Sequence, residues 1–258
     1  MLSKAQGDLM VYPKRIVFDN SQKTQELSLS NNGKDSARYV LSVLQIRMKA
    51  DGGFETITTA DSSQRFADKY FRFFPRQVVL APGESQTVKI QPIRSSELVT
   101  GEYRSHLYLR SESEKVALGE ADSTKKSSSI SVSITPVFGI SVPIIIKSGK
   151  SDTKVGVSDL SFSMAGNTQP KLTLKFNRSG NMSVYGDILV NHLSASGKVT
   201  KVGAIQGAAI YAPTPSRQFQ LPLDLTKTAL YHSGKLQVIY SSPAPKPETF
   251  AQAEITLK

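Results

Sequence analysis

Between Ser127 and Lys147 the chain reads SSSISVSITPVFGISVPIIIK, and apolar residues fall on nearly every even position: Ile130, Val132, Ile134, Phe138, Ile140, Val142, Ile144 and Ile146. A strand turns alternate side chains to opposite faces, so a period of two sustained this far describes one continuous apolar stripe along an extended segment. Strands ordinarily run roughly 5 to 6 residues, which makes this one about three times longer than a single small sheet needs. The surplus implies that something besides its own sheet uses the strand.

The rest of the chain obeys the same period. Apolar residues scarcely repeat at helical spacing, whereas short alternating runs bounded by Gly, Pro, Asn, Asp and Ser recur about every 8 to 15 residues, the pattern of β-sandwiches. The expected fold class is therefore all-β, with two immunoglobulin-like sandwiches. Strands of the first are expected near Leu9–Phe18, Gln25–Ser30, Arg38–Met48, Tyr70–Leu80, Gln86–Gln91, Tyr103–Leu109 and Ile130–Ile146. Those of the second are expected near Val155–Phe162, Leu172–Asn177, Val184–Asn191, Val199–Tyr211, Arg217–Leu223, Leu236–Tyr240 and Phe250–Leu257. SNNGKDSA and LAPGESQ supply tight turns, and ADGGFETITTADSSQRFADK is long enough for a small hairpin or helical turn. SESEKVALGEADSTKKSSS is a polar, charged connector. The Gly-containing joint SGKSDTK divides the chain into domains 8–148 and 149–258.

Composition narrows the function classes. The 258 residues include no cysteine, which removes disulfides, thiolate metal sites and cysteine nucleophiles together. The net charge of +11 is scattered through alternating strands rather than gathered in a block, as expected of solvated outer faces. Aromatics are not interleaved with clustered cations, so nucleic acid is not an expected partner. No run approaches the roughly 18 apolar residues that span a bilayer, so no membrane insertion is expected. Met1–Met10 lacks the apolar centre of a secretory signal, which leaves a cytosolic protein or one whose signal has been removed. His106, His192 and His232 show no ligand spacing, and Asp187 and Asp224 have no identifiable acid partner. No phosphate loop or nucleophile elbow is present. The sequence reads as no enzyme, with no cofactor and no metal site. NRSGNMS, Asn177–Ser183, contains two glycosylation-type patterns that also read as turn chemistry.

On this layout, VYPKRIVFDNSQKTQELSLSNNGKDSARYVLSV resembles the opening of the periplasmic pilus-assembly chaperones of the chaperone/usher pathway. The resemblance continues through FRFFPRQVVLAPGESQTVKIQP and into the apolar stripe, which is similar to the family's long G1 strand. It covers most of the first domain; the second is similar chiefly in strand count. The order and spacing of the segments carry it, because single PG and NNG turns recur across unrelated sandwiches. It departs from the family where Arg104 of EYRSHLYL stands at the place of an acidic interdomain partner. That departure implies a divergent, non-standard subfamily.

The resemblance implies two immunoglobulin-like domains in a boomerang arrangement and a function by strand addition. A pilin-like subunit is a sandwich missing its last strand, and the chaperone lends its G1 edge to fill the gap before an outer-membrane usher receives the subunit. Ile130, Val132, Ile134 and Phe138 are the implied donor-strand residues, while Ile140–Ile146 read as core. Own-sheet packing stays open for Ile130, Val132 and Ile134, and Pro136, lacking an N–H, favours an edge there. Arg15 matches the family's early strand cation that holds the subunit's terminal carboxylate; Ser141 stands where the family's second cation belongs, and Lys14 is a candidate replacement. The resemblance further implies a periplasmic location after signal removal, and self-association through the exposed G1 edge. The competing reading is an immunoglobulin-like structural or adhesive surface module whose long strand is paired internally.

Overall fold

The structure, a computed structural model, describes residues 9–19, 22–112, 138–164 and 169–257. Its strands in chain order are β1 (Leu9–Tyr12), β2 (Ile16–Phe18), β3 (Gln25–Asn31), β4 (Ala37–Leu44), β5 (Ile46–Met48), β6 (Phe54–Thr56), β7 (Phe71–Phe74), β8 (Gln77–Leu80), β9 (Ser85–Pro92), β10 (Gly101–Glu112) and β11 (Gly139–Ser148). The second series is β12 (Lys154–Ser163), β13 (Lys171–Ser179), β14 (Val184–Leu193), β15 (Val199–Ile210), β16 (Ser216–Pro222), β17 (Lys235–Ser241) and β18 (Thr249–Thr256).

Packing gathers these strands into two compact units. Among the described residues, the first takes the chain up to Gln45, Phe66–Leu98 and the chain from Tyr103 to Ile146; the second takes Ile46–Arg65, Val99–Glu102 and the chain from Lys147 onward.

In the first unit a sheet in the order β1-β3-β9-β7 faces one in the order β2-β11-β10-β4-β8. Alternation explains the core between them: Leu27 and Leu29 of β3, Val88 and Ile90 of β9, and Leu107 and Leu109 of β10 are buried while their immediate neighbours on β3 and β9 are polar. Two expected strands are each divided. The run Leu9–Phe18 breaks at Pro13, so that β1 pairs with β3 in one sheet and β2 pairs with β11 in the other. The run Tyr70–Leu80 breaks at Pro75, so that β7 pairs with β9 and β8 with β4. A proline has no N–H for the ladder, which makes it a natural place for a strand to leave one sheet and enter the other.

The run Arg38–Met48 also divides. β4 stops at Leu44, and β5 turns away to form a hairpin with β6, in register Ile46↔Thr56 and Met48↔Phe54. This hairpin belongs to the second unit: Thr214 Oγ1 donates to Met48 O at 2.7 Å and Gln218 N to Ala50 O at 2.8 Å. Its tip requires glycine at Gly52, which has φ +87° and lies against the guanidinium of Arg217. Arg47 holds the base of the arm through two bonds to Asp61, of 2.6 and 2.5 Å.

The second unit packs the three-stranded sheet β12-β13-β16 with the four-stranded sheet β15-β14-β17-β18. All seven strands expected from the sequence are present within a few residues of their expected ends. Phe176, Phe219 and Tyr240 form the aromatic centre, with Phe176 and Tyr240 ring centroids 4.7 Å apart and the Tyr240 hydroxyl donating to Ala208 O. The Asn177–Ser183 stretch leaves β13 in a turn at Gly180, whose φ is +92°, and Arg178 Nη1 donates to Gly180 O and Met182 O. Among the described residues no helix is long and apolar enough to cross a membrane.

Candidate functional site

The site lies on β11, where one apolar stripe has two environments. Val142, Ile144 and Ile146 point into the core of the first unit and are almost wholly buried. Phe138 and Ile140 follow in the same phase but are 58% and 36% exposed. The phase is fixed by β10: Leu107 and Leu109 face the core, Ser111 follows them two residues on, and the Ser111 N–H donates to Phe138 O at 2.9 Å. The stripe therefore emerges from the core at Ile140 and continues beyond it.

On the other side β11 has a partial neighbour. β2 runs parallel to it and, among the described residues, accompanies it only over Ile144–Ile146, in register Ile16↔Ile144 to Phe18↔Ile146. Since Phe138 turns its backbone groups to β10, alternation turns those of Gly139, Ser141 and Pro143 to the opposite side. Pro143 has no N–H, so the ladder with β2 has no donor at the position where it would be extended. What lies beyond is a short length of sheet edge bearing the N–H and C=O groups of Gly139 and Ser141, flanked by two exposed apolar side chains.

Arg15 immediately precedes β2, and continuing its register places it beside Pro143, where the open edge begins. It is half-buried. Lys14 is exposed in the bend between β1 and β2. Ser141 is exposed on β11, two register positions farther along the edge than Pro143. Of the residues singled out in the sequence, Arg15, Ser141 and Phe138 thus lie along one edge, with Lys14 next to its inner end. Ile130, Val132, Ile134 and Pro136 lie outside the described residues, as does most of the polar connector before them.

Two features escaped the sequence reading. Gly139 is one: a Cβ there would collide with the hydroxyl and ring of Tyr108. Glu102 is another. It is buried, and in the second unit its carboxylate accepts from the Ser183 N–H at 2.8 Å and from the Ser183 hydroxyl. Burial lowers the Arg178 pKa, while the charges of Glu102 and Asp152 oppose that shift. Arg104, where the sequence departs from the family pattern, is buried in the first unit beside His106. Burial, reinforced by the Arg104 charge, pulls the His106 imidazole down to about 3, so the side chain is neutral at physiological pH.

Elsewhere the described residues show a shallow cleft on the second unit lined by Lys201, Asp224 and Lys227. Its polar groups are already engaged with one another: Lys227 Nζ donates to Lys201 O at 2.8 Å and lies 3.1 Å from Asp224. The open edge of β11 is the better candidate for function.

No family model matches the sequence, and no match is found among curated proteins. Among solved structures, the chain is similar to the class 5 fimbriae chaperone CfaA, at 13% identity with a TM-score of 0.46, over 97% of this chain and 99% of that one. It is similar to the Pseudomonas aeruginosa CupB2 chaperone at 11% identity and a TM-score of 0.46, over 96% and 100% of the two chains. It is also similar to a chain of the complex of Salmonella enterica SafA pilin with the SafB chaperone, at 12% identity and a TM-score of 0.45, over 99% of this chain and 99% of that one.

Proposed function

We propose that the protein is a periplasmic chaperone that lends the leading part of β11 to pilin-like subunits lacking their last strand, and delivers them to an outer-membrane usher. The observation that carries this reading is the emergence of the core-facing stripe of β11 at a sheet edge that, among the described residues, no strand pairs, with Phe138 and Ile140 exposed. Edge amides can pair with an incoming strand while alternate apolar side chains fill the groove that the missing strand leaves. Arg15, where this edge begins, is the cation for the subunit's terminal carboxylate, with Lys14 alongside and Ser141 farther out. The donor run extends toward Ile134, Val132 and Ile130. The order and spacing of the first domain's segments, similar to those of pilus chaperones, support the same reading. In it the chain works without cofactor or catalysis, and domains 8–148 and 149–258 are its two functional parts.

Co-expression tests the proposal. The probe is a pilin-type immunoglobulin sandwich lacking its seventh strand, which aggregates when made alone. The expected result is a soluble one-to-one complex on gel filtration. Continued aggregation of the probe, with the β11 edge of the isolated protein already paired, would favour a structural or adhesive module instead. Usher and pilin coding sequences beside this one are expected if delivery is part of the function.

A further inference from the structure

The first described residues of β11 are held to β10 by more than the ladder. Ser111 grips the backbone of Phe138 at both of its polar groups: the Ser111 N–H and hydroxyl donate to Phe138 O at 2.9 and 3.1 Å, and the hydroxyl accepts from the Phe138 N–H at 3.2 Å. One residue on, Tyr108 lies so close to the backbone of Gly139 that no Cβ fits between them. Gly139 is not in the left-handed region, so the ring, and not the backbone dihedral, is what demands glycine. Tyr108 and Ser111 are on opposite faces of β10, an even and an odd position, so β11 is held from both faces just where, among the described residues, it has no second neighbour.

We infer that Ser111, Tyr108 and Gly139 are positioning residues that fix the register of the donor edge. The later half of β11 is anchored by Val142, Ile144 and Ile146 in the core and by β2, whereas the leading half has β10 alone among the described strands, and a local slip of one residue there would exchange its two faces. Phe138 and Ile140 would then turn away from the groove, and Gly139 and Ser141, which carry no apolar side chain, would face it. This inference rests on the proposal that β11 donates its edge, and it adds a condition: donation needs a prealigned strand, because ordering a loose one at the moment of binding weakens association.

The test uses the full chain and two readouts. Amide hydrogen exchange at Phe138 and Ile140, whose N–H groups face β10, reports the register directly; capture of the strand-deleted pilin-type sandwich reports its consequence. Gly139→Ala, which displaces the Tyr108 ring, is expected to speed exchange at both amides by about tenfold or more and to weaken capture by a similar factor, with the thermal midpoint unchanged. In a Tyr108→Ala background the same substitution is expected to add nothing, since the collision is gone. Ser111→Ala, a milder change, is expected to move both readouts in the same direction by a smaller factor. If Gly139→Ala and Ser111→Ala leave exchange and capture as they were in a folded protein, the inference is overturned while strand donation stands. If the unmodified protein does not bind the probe, strand donation fails, and the exchange rates alone still decide whether these residues hold the register.

Discussion

The two halves of β11 carry the same alternation and have opposite environments. From Val142 to Ile146 the even positions are core; at Phe138 and Ile140 the same face is exposed. Nothing in the side chains separates them, since an isoleucine stands on each side of the boundary. What separates them is their surroundings: Val142, Ile144 and Ile146 pack into the core of the first unit, Phe138 and Ile140 lie past it, and β2, among the described residues, accompanies only Ile144–Ile146. Apolar periodicity therefore states which face a strand wants to bury, and the sheet around it decides whether that face is buried within the molecule or left for another one.

The comparison can be broken most severely at its buried end. Ile144→Thr shortens a fully buried side chain and adds a hydroxyl to the core, and is expected to destabilise the first unit by about 2–4 kcal/mol, read by chemical denaturation. Acid should act nearly as strongly. His106 has its folded pKa lowered to about 3, below its unfolded value near 6.5, so between these pH values the unfolded chain binds the additional proton. Stability is then full above about pH 6.5 and falls as pH drops toward 3. His106→Gln should flatten the loss between pH 7 and 4.5, measured by denaturant midpoints. At the open end the effect should move from folding to binding. Arg15→Ala is expected to weaken capture of a strand-deleted subunit by roughly 1.5–3 kcal/mol, the contribution of a charged hydrogen bond, as read by calorimetric titration. Ile140→Thr should leave stability within about 0.5 kcal/mol of the unmodified protein, as most exposed substitutions do, while weakening capture. The smallest effect is expected from Ser141→Lys, which should strengthen capture by up to about 1 kcal/mol through a second, solvent-screened cation.

The second unit was the more legible in the sequence because each of its seven strands begins and ends within one sheet, so that turn residues coincide with strand ends. The first unit hid more. Pro13 and Pro75 were visible, and the inward positions change from odd to even across each, from Leu9 and Val11 to Ile16 and Phe18 and from Phe71 and Phe73 to Val78 and Leu80; which strand each half joins comes only from the pairing. Between β4 and β5 the buried positions likewise change from odd, Tyr39 and Leu41, to even, Ile46 and Met48, and the apolar Leu44 hides that change in the sequence. Glu102 was overlooked because Arg104, two residues on, shares its strand phase, and a motif alone cannot tell which of two such positions carries a role. The contact between Tyr108 and Gly139 joins residues distant in the chain and left no local signal. The stripe itself was readable from alternation, but its limit was not: Ile140, read as core with Ile144 and Ile146, is 36% exposed, because alternation does not show where the core ends.

The central claim, that the leading half of β11 is an edge reserved for another molecule, makes an alternating prediction that one experiment reads. Amide exchange followed by NMR in the free protein should show Ile140 and Val142, which face β10, protected, and Gly139 and Ser141, which face the open side, exchanging rapidly. On addition of a pilin-type sandwich lacking its seventh strand, Gly139 and Ser141 should become protected as well. Equal protection of all four amides before the probe is added, or no change at Gly139 and Ser141 after it binds, would contradict the account.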